Sequence, residues 1–194
     1  MIVSKKANLA FIHIPKNAGR SIEQAMRAKW PCKRVGQGHS TLSQVKNKTK
    51  GLETFAVVRN PFERMVSLYF FILQKKKHST NRKGKRVSIN KIREMGFSKW
   101  LRKCGELTGG RVFTEAPQVS WLRVDGKIKV DYIFRYENLG ELKRIGIELE
   151  EHAHKSKHGH YSEYYDDKAR MFVEDKFRKD LNTFGYKYET KHRD

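Results

Sequence analysis

Two segments of the chain combine glycine, basic and hydroxyl residues at a spacing that suits an anion. The first is His13–Ser21, HIPKNAGRS, where a glycine-containing turn directly precedes a helical pattern. Backbone N–H groups and the positive end of a helix dipole favour a phosphate or sulfate at such a turn. Lys16 adds a cation and Ser21 a hydroxyl donor. The loop of nucleoside triphosphatases is different, because its lysine follows the second glycine and directly precedes Ser or Thr.

The second segment is Val57–Tyr69, VVRNPFERMVSLY. Arg59 ends a predicted strand and Ser67 lies two turns into the predicted helix, so both could reach one anion at the carboxyl edge of a sheet. Arginine is a natural bidentate partner for a terminal phosphate. On its own, the segment is equally typical of a capped helix with solvated charges.

Histidine supplies the candidates for proton transfer. His39 lies in the glycine-flanked turn Gly36–Ser40, where the residues alone favour a surface histidine. His13 is predicted to lie in a strand and to face the core. A further cluster in one loop could bind a metal ion or could simply belong to the loop before the last helix; it contains His152, His154, His158 and His160.

Strands that alternate with helices must position these residues. The predicted strands are 8–14, 54–59 and 130–134, and the helices that follow them are 21–30, 61–73 and 138–149. This alternation predicts an α/β fold with three layers, in which helices cover both faces of a central parallel sheet. Three- and four-residue spacing of apolar side chains predicts one last helix over Asp167–Thr183.

Length and charge limit the function classes. The 194 residues, 38% of them apolar, predict one globular domain over 1–194. The formal net charge of +21 favours a phosphorylated or polyanionic partner, and nucleic acid, glycans, nucleotides and anionic lipids all fit it. Neither the two cysteines nor the histidines predict a structural zinc site. The first apolar run is too short for a membrane span.

Two stretches without acidic residues are candidate surfaces for an anionic partner. They are Arg27–Lys50 and Lys75–Arg93, and the second contains nine basic residues. The second stretch has two interpretations: it forms a solvated surface, or it helps to bind an acidic acceptor.

Taken together, HIPKNAGRS and VVRNPFERMVSLY, about forty residues apart, resemble the two donor-binding signatures of the sulfotransferase superfamily. That superfamily uses 3′-phosphoadenosine-5′-phosphosulfate (PAPS) and releases adenosine 3′,5′-bisphosphate (PAP). The resemblance is closest to the carbohydrate type, the heparan/uronosyl 2-O-like branch, and its short microbial or viral-like members. It implies a P-loop-like sheet in a single sulfotransferase domain. The resemblance implies that the 5′ end of the donor is bound by Lys16, Asn17, Ala18, Gly19, Arg20 and Ser21, and the 3′-phosphate by Arg59 and Ser67.

The resemblance also implies a mechanism. His39 matches the Gly-His segment that supplies the base, and Lys16 would stabilise the leaving group, with no metal ion needed. Many members carry a small residue or Thr in place of Arg20. Lys155–Lys157 matches a loop that often closes over the nucleotide. Weaker similarity continues through Arg135–Leu139 and the C-terminal residues.

The resemblance leaves the acceptor open, as an anionic or neutral glycan or another hydroxyl compound. Two other functions fit the same residues. A nucleotide kinase of similar architecture would bind ATP with Mg²⁺, and a nucleic-acid-binding protein would stack bases on exposed aromatic side chains. We expect a soluble cytoplasmic protein, or a Golgi-luminal one if an anchor has been removed. The oligomeric state has no signal in the sequence.

Overall fold

The computed structural model describes residues 1–74, 78–80, 86–107, 116–149 and 158–191. The chain divides into two compact units. One comprises Met1–Arg59 and Gln118–Lys155, and the other comprises Asn60–Pro117 and Ser156–Asp194. The single sulfotransferase domain over 1–194 stays a prediction.

The described residues contain strands of two to six residues and α-helices of four to nineteen. The strands are β1 Ile2–Ser4, β2 Leu9–Ile12, β3 Lys33–Arg34, β4 Glu53–Val58, β5 His78–Thr80, β6 Arg86–Ser88, β7 Arg123–Val124, β8 Lys127–Ile128 and β9 Tyr132–Arg135. The α-helices are α1 Gly19–Lys29, α2 Leu42–Val45, α3 Pro61–Leu73, α4 Ile89–Leu107, α5 Val119–Leu122, α6 Asp167–Lys176 and α7 Arg178–Phe184. Short 3₁₀-helices span Lys46–Lys48, Tyr136–Ile145 and Tyr161–Tyr164.

The first unit contains a five-stranded sheet in the order β3-β1-β2-β4-β9. The three strands expected from sequence, β2, β4 and β9, pair in parallel, with Ile12 opposite Ala56 and Val58 opposite Arg135. Both candidate anion-binding segments therefore follow the carboxyl ends of neighbouring parallel strands. The α/β class is confirmed. The sheet is mixed, because β1 pairs antiparallel with both β2 and β3.

Helix α1 covers part of this sheet through the apolar stripe expected from its spacing. Ile22 and Met26 are fully buried, and they pack in one cluster with Phe11, Phe55 and Phe134 of the strands. The helix therefore begins beside the carboxyl end of β2, which leaves its amino end at the same edge as the first segment.

The second unit has its own core around α3 and α4. Phe62, Trp100 and Phe177 are among its fully buried side chains. Asn60 caps α3 as expected, because its Oδ1 accepts a hydrogen bond from the N–H of Phe62 at 3.1 Å, and Pro61 takes the first helical position. None of the helices within the described residues is both long and apolar enough to span a membrane.

Two helix predictions were wrong in detail. Residues 136–145 form a 3₁₀-helix interrupted at Asn138 and ended by Gly146, which has φ 74°. Asn138 and Gly140 are poor helix formers, which accounts for the tighter turn. The single C-terminal helix is two, because Phe177 leaves helical geometry with φ −110° and ψ 20° between α6 and α7. The three-layer, P-loop-like arrangement stays a prediction.

Candidate active site

The loop between β2 and α1 adopts an unusual backbone. Lys16 and Ala18 both have positive φ values, 71° and 58°, although neither is glycine. Each such residue costs about 1–3 kcal/mol, and strain of this kind concentrates at functional sites. Left-handed residues inside a loop turn successive N–H groups toward one concave face, which is an anion-binding geometry. Helix α1 begins directly after it, and the N-cap residue Ala18 has no side chain that could cap it.

Gly19 is required where it stands. A Cβ at this position would overlap with the imidazole ring of His13, which lies against the Gly19 backbone. The absence of a side chain therefore lets His13 occupy the space beside the loop. This close approach explains why the HIPKNAGRS segment needs its glycine here.

Lys16 lies in a cationic environment. Its ammonium group is largely buried, and burial together with the charges of Arg59 and Arg20 lowers the pKa of Lys16 to about 8. Three cationic side chains from two segments of the sequence are thus close enough to repel one another. A bound anion would relieve this repulsion and the burial cost of the ammonium group.

Arg59 follows β4 and is held from two sides. Its Nη1 donates a hydrogen bond to the backbone oxygen of Lys16 at 3.1 Å. Its guanidinium carbon lies 3.7 Å from the ring centroid of Tyr136, in a cation–π contact. Arg59 is only 4% exposed, so the guanidinium is oriented by the protein rather than by solvent. The structure therefore places Arg59 beside the loop that contains Lys16.

Gln118 connects these two segments by hydrogen bonds, a role that the sequence analysis did not predict. Its Oε1 accepts hydrogen bonds from Asn17 Nδ2 at 2.6 Å and from the N–H of Arg59 at 2.9 Å. Its Nε2 donates to the Arg59 carbonyl at 2.8 Å. The side chain is fully buried, so each of these bonds is protected from water.

Asn17 does not present its side chain to a ligand. Its Nδ2 donates to the carbonyl of Val57 at 2.7 Å as well as to Gln118. Its Oδ1 is buried and has no hydrogen-bond partner among the described residues. A carbonyl oxygen accepts hydrogen bonds and would repel an anion, so Asn17 can assist anion binding only through its backbone N–H.

The two serines lie in different units. Ser21 is buried in the first turn of α1, where it borders a cleft of about 350 Å³ that extends along α1 to Lys29 and is bounded opposite by Gly146. Ser67 is buried on α3 of the second unit, 3% exposed. The expectation that Ser67 and Arg59 meet at one phosphate stays a prediction.

His39 lies against the same edge of the sheet. Its Nδ1 is 3.2 Å from the carbonyl oxygen of His13, and its ring meets the His13 ring edge-on at 4.5 Å. Burial is the main cause that lowers the pKa of His39, followed by the charge of His13. Trp121 Nε1 donates to the His39 carbonyl at 3.3 Å, which fixes the backbone there. The imidazole is therefore held neutral at neutral pH.

The turn that carries His39 depends on glycine and serine. Gly36 has φ 63°, and a Cβ there would lie 2.6 Å from Ser40 Oγ. The hydroxyl of Ser40 accepts from the N–H of Gln37 at 2.9 Å and donates to its carbonyl at 3.2 Å. The glycine–histidine spacing therefore has a structural cause, since Ser40 fills the space that a larger residue 36 would need.

The described members of the histidine-rich loop have structural contacts. His160 Nδ1 accepts the N–H of Ser162 at 3.3 Å and caps the short helix that follows. The His158 ring stacks on Phe70 at 5.2 Å. The other predictions for this region concern His152, His154 and Lys155–Lys157, which lie outside the described residues, as does much of Lys75–Arg93. Within the described part of the chain, no group of three or more His, Cys, Asp or Glu side chains could hold a metal ion.

Asp131, the acidic residue at the third predicted strand, serves strand pairing. Its Oδ2 accepts from the N–H and the hydroxyl of Thr54 at 2.7 and 2.6 Å. This contact lies at the amino end of β4, away from Arg59. The residue therefore stabilises the sheet far from the candidate site.

Comparison with protein families assigns the chain. The sulfotransferase family model matches residues 1–187 of the 194. The chain belongs to the sulfotransferase family. Comparisons with curated proteins and with solved structures found no match. Membership supports a sulfotransfer activity and a hydroxyl acceptor for this sulfotransferase, and the site described above lies within the matched residues.

Proposed function

We propose that this sulfotransferase transfers the sulfuryl group of PAPS to a hydroxyl group, on a carbohydrate, by in-line displacement. The observation that carries the proposal is the convergence of Lys16, Arg59 and Arg20, whose mutual repulsion and burial lower the pKa of Lys16 to about 8. A donor with phosphate groups at both ends of its ribose would stabilise this arrangement. PAPS is such a donor, and it supplies the activated sulfuryl group.

The loop before α1 is proposed to bind the 5′ end of the donor. Its backbone N–H groups, including that of Asn17, and the amino end of α1 favour negative charge. The ammonium group of Lys16 and the hydroxyl of Ser21 add two donors. Lys16 would also stabilise the charge that develops on the leaving oxygen, which is where a preformed cation accelerates a transfer reaction.

Arg59 is proposed to bind the 3′-phosphate. Its contacts with the Lys16 carbonyl and the Tyr136 ring fix the guanidinium plane before a ligand arrives, which lowers the entropic cost of binding. The family resemblance assigns Ser67 to the same phosphate. The cleft that borders Ser21 is proposed to hold the rest of the nucleotide.

His39 is proposed as the general base. The acceptor proton moves to the imidazole as the acceptor oxygen bonds to sulfur, and the bond from sulfur to the bisphosphate oxygen breaks with its electron pair on that oxygen. Burial lowers the pKa of His39, so that the ring is unprotonated at neutral pH. General-base catalysis of this kind contributes about 10²–10⁴-fold.

The acceptor is proposed to be an anionic glycan because of the net charge of +21. Exposed basic residues of the first unit lie in the stretch that was singled out in the sequence, and they include Lys33, Arg34, Lys46 and Lys48. With PAPS saturating, activity at subsaturating acceptor should fall with ionic strength for an acidic glycan and not for a neutral one. Equal activity on both kinds of acceptor would contradict an anionic acceptor.

Calorimetric titration with PAP tests the donor site directly. We expect metal-independent binding in the micromolar range, and weaker binding of adenosine 5′-phosphate, which lacks the 3′-phosphate. Arg59→Ala should weaken PAP binding about tenfold or more, since hydrogen bonds to a charged group contribute about 1.5–3 kcal/mol. Ser67→Ala tests the second assignment separately.

The matched control is Arg27→Ala, which removes an exposed arginine of α1. Its PAP affinity should stay within about twofold of the wild type, because exposed charges are strongly screened. No preference for PAP over adenosine 5′-phosphate, or tighter binding of Mg-ATP, would overturn the proposed function.

A further inference from the structure

The hydrogen bond between His39 and His13 determines which nitrogen of the His39 ring holds the proton. The carbonyl oxygen of His13 only accepts hydrogen bonds, so Nδ1 of His39, 3.2 Å away, must be the donor. In a neutral imidazole the other nitrogen then holds the lone pair. Nε2 of His39 is therefore the nitrogen that can accept a proton.

The His13 side chain is held as firmly as its carbonyl. Its Nδ1 lies 2.8 Å from Glu23 Oε1 on α1. The hydrogen bond with His13 is the main cause that lowers the pKa of Glu23, so the carboxylate is charged at neutral pH and His13 Nδ1 donates to it. The His13 ring also stacks on Phe11 at 5.6 Å and lies against the Gly19 backbone.

The other charged groups near this pair come from neighbouring elements. Arg34 of β3 lies 3.7 Å from Glu23. The Met1 nitrogen donates to the carbonyls of Gln37 and Gly38, in the turn that carries His39. Both groups lower the pKa of Glu23 and so favour its charged form. These neighbours help to keep the Glu23 carboxylate ionised, so that it can accept the hydrogen bond that orients His13.

We propose that His13 and Glu23 are a positioning pair, which holds the His39 ring with its Nδ1 proton directed to the protein and its Nε2 directed to the acceptor. The proposal rests on the proposed function, because it assigns a role to two residues that act through the general base. The anchored His13 ring fixes its own backbone carbonyl, and this carbonyl fixes the His39 tautomer. When His39 accepts the acceptor proton at Nε2, Nδ1 keeps its proton and its hydrogen bond. The proton leaves to solvent after the bisphosphate product has dissociated.

Nitrogen NMR of the histidine rings tests the pair without any turnover. With ¹⁵N-labelled histidine, wild-type His39 should show a protonated Nδ1 and an unprotonated Nε2, and His13 should show a protonated Nδ1. In His13→Phe the ring volume remains but the bond to Glu23 is lost. We then expect a mixture of His39 tautomers, because the backbone carbonyl of residue 13 is no longer held in place by an anchored ring.

Glu23→Gln is the second variant, and it keeps a hydrogen-bond acceptor for His13. It should lower the pKa of His39, because the Glu23 charge raises that pKa. Asp125→Asn removes an exposed carboxylate elsewhere on the same unit and should change neither ring. If His39 of the wild type is protonated at Nε2, the proposed positioning role of His13 and Glu23 is wrong. Unchanged His39 signals in Glu23→Gln would also overturn it, even if His13→Phe does not fold.

Binding and turnover separate this proposal from the proposed function. PAP affinity should stay within about twofold in both variants, while kcat falls about tenfold and KM for PAPS is unchanged, as expected for loss of general-base efficiency. If the wild type does not bind PAP, the proposed function fails. The NMR spectra of the histidine rings still show whether His13 and Glu23 control the tautomer of His39. If PAP binds normally and the His39 tautomer does not depend on His13, only the pair fails.

Discussion

Gln118 and Arg59 are joined by two antiparallel hydrogen bonds, from the Arg59 N–H to Gln118 Oε1 at 2.9 Å and from Gln118 Nε2 to the Arg59 carbonyl at 2.8 Å. The same Oε1 also accepts from Asn17 at 2.6 Å. One buried amide therefore connects the loop before α1 to the residue after β4. The alignment of the two candidate phosphate-binding segments therefore depends on a residue from a third segment of the chain.

Replacing Gln118 by methionine tests this connection. Gln118→Met keeps the side-chain length but leaves the Asn17 amide and the Arg59 backbone without their shared partner. Each buried unsatisfied group costs about 1–3 kcal/mol, so the free energy of unfolding should fall by at least that amount. PAP affinity should fall as well. Urea unfolding and calorimetry measure the two effects.

The matched control is Gln74→Met at the exposed end of α3. Its free energy of unfolding should stay within about 0.5 kcal/mol of the wild type, as is usual for surface substitutions. Equal loss of stability in the two variants would show that the buried amide contributes nothing specific.

Binding of PAP should be coupled to protonation of Lys16. In the ligand-free protein its pKa is about 8, against an ordinary value of 10.5. Anionic groups beside Lys16 raise that pKa, so binding takes up protons above pH 8 and affinity falls as the pH rises through this range. Calorimetry at pH 9 in two buffers of different ionisation enthalpy measures the uptake. Lys16→Met should abolish it, whereas Lys143→Met, an exposed lysine, should leave it in place.

Gly19 should tolerate alanine only when His13 is smaller. Gly19→Ala forces the new methyl group into the His13 ring, and overpacking of this kind costs about 1–3 kcal/mol. Combining it with His13→Ala should restore most of the stability that Gly19→Ala alone removes. Thermal unfolding of the two single variants and the double variant measures this coupling. At Gly140 an added Cβ would make only an ordinary contact, 3.9 Å from Asn138 Oδ1, so Gly140→Ala should be nearly neutral. Additive losses would contradict the overlap.

Tyr136 should support the affinity of Arg59 for its phosphate. Tyr136→Leu removes the ring that lies 3.7 Å from the guanidinium. Cation–π contacts contribute about 0.5–2 kcal/mol, so PAP affinity should fall about two- to thirtyfold. Tyr136→Phe keeps the ring and serves as the matched control. The prediction fails if both variants weaken PAP binding equally in a calorimetric titration.

Local patterns predicted the parts of the fold that local interactions determine. The buried runs that became β2, β4 and β9 are dense in β-branched and aromatic residues, and the Asn60–Pro61 pair set the beginning of α3 correctly. The short strands β1 and β3 escaped notice because two or three residues carry too little periodicity.

Long-range contacts account for what the sequence did not reveal about the site. Gln118 lies 101 residues from Asn17, and neither a motif nor an apolar pattern marks it. The contact between Glu23 and His13, ten residues apart, likewise has no signal in the local sequence. A single polar residue acquires such a role only through tertiary structure, which no local pattern encodes.

The parallel pairing of β2 with β4 determines where insertions and deletions in the sequence would affect the candidate site. Ile12 lies opposite Ala56, so the distance along the sheet edge between Lys16 and Arg59 is set by strand register and not by their separation of 43 positions in the sequence. Insertions or deletions between α1 and β4 would leave that distance unchanged. One extra residue between Val58 and Arg59 would displace the guanidinium by about 3.3 Å, the rise of a strand residue. The pairing of two strands therefore determines how far apart two anionic groups of one ligand must be in order to contact both Lys16 and Arg59.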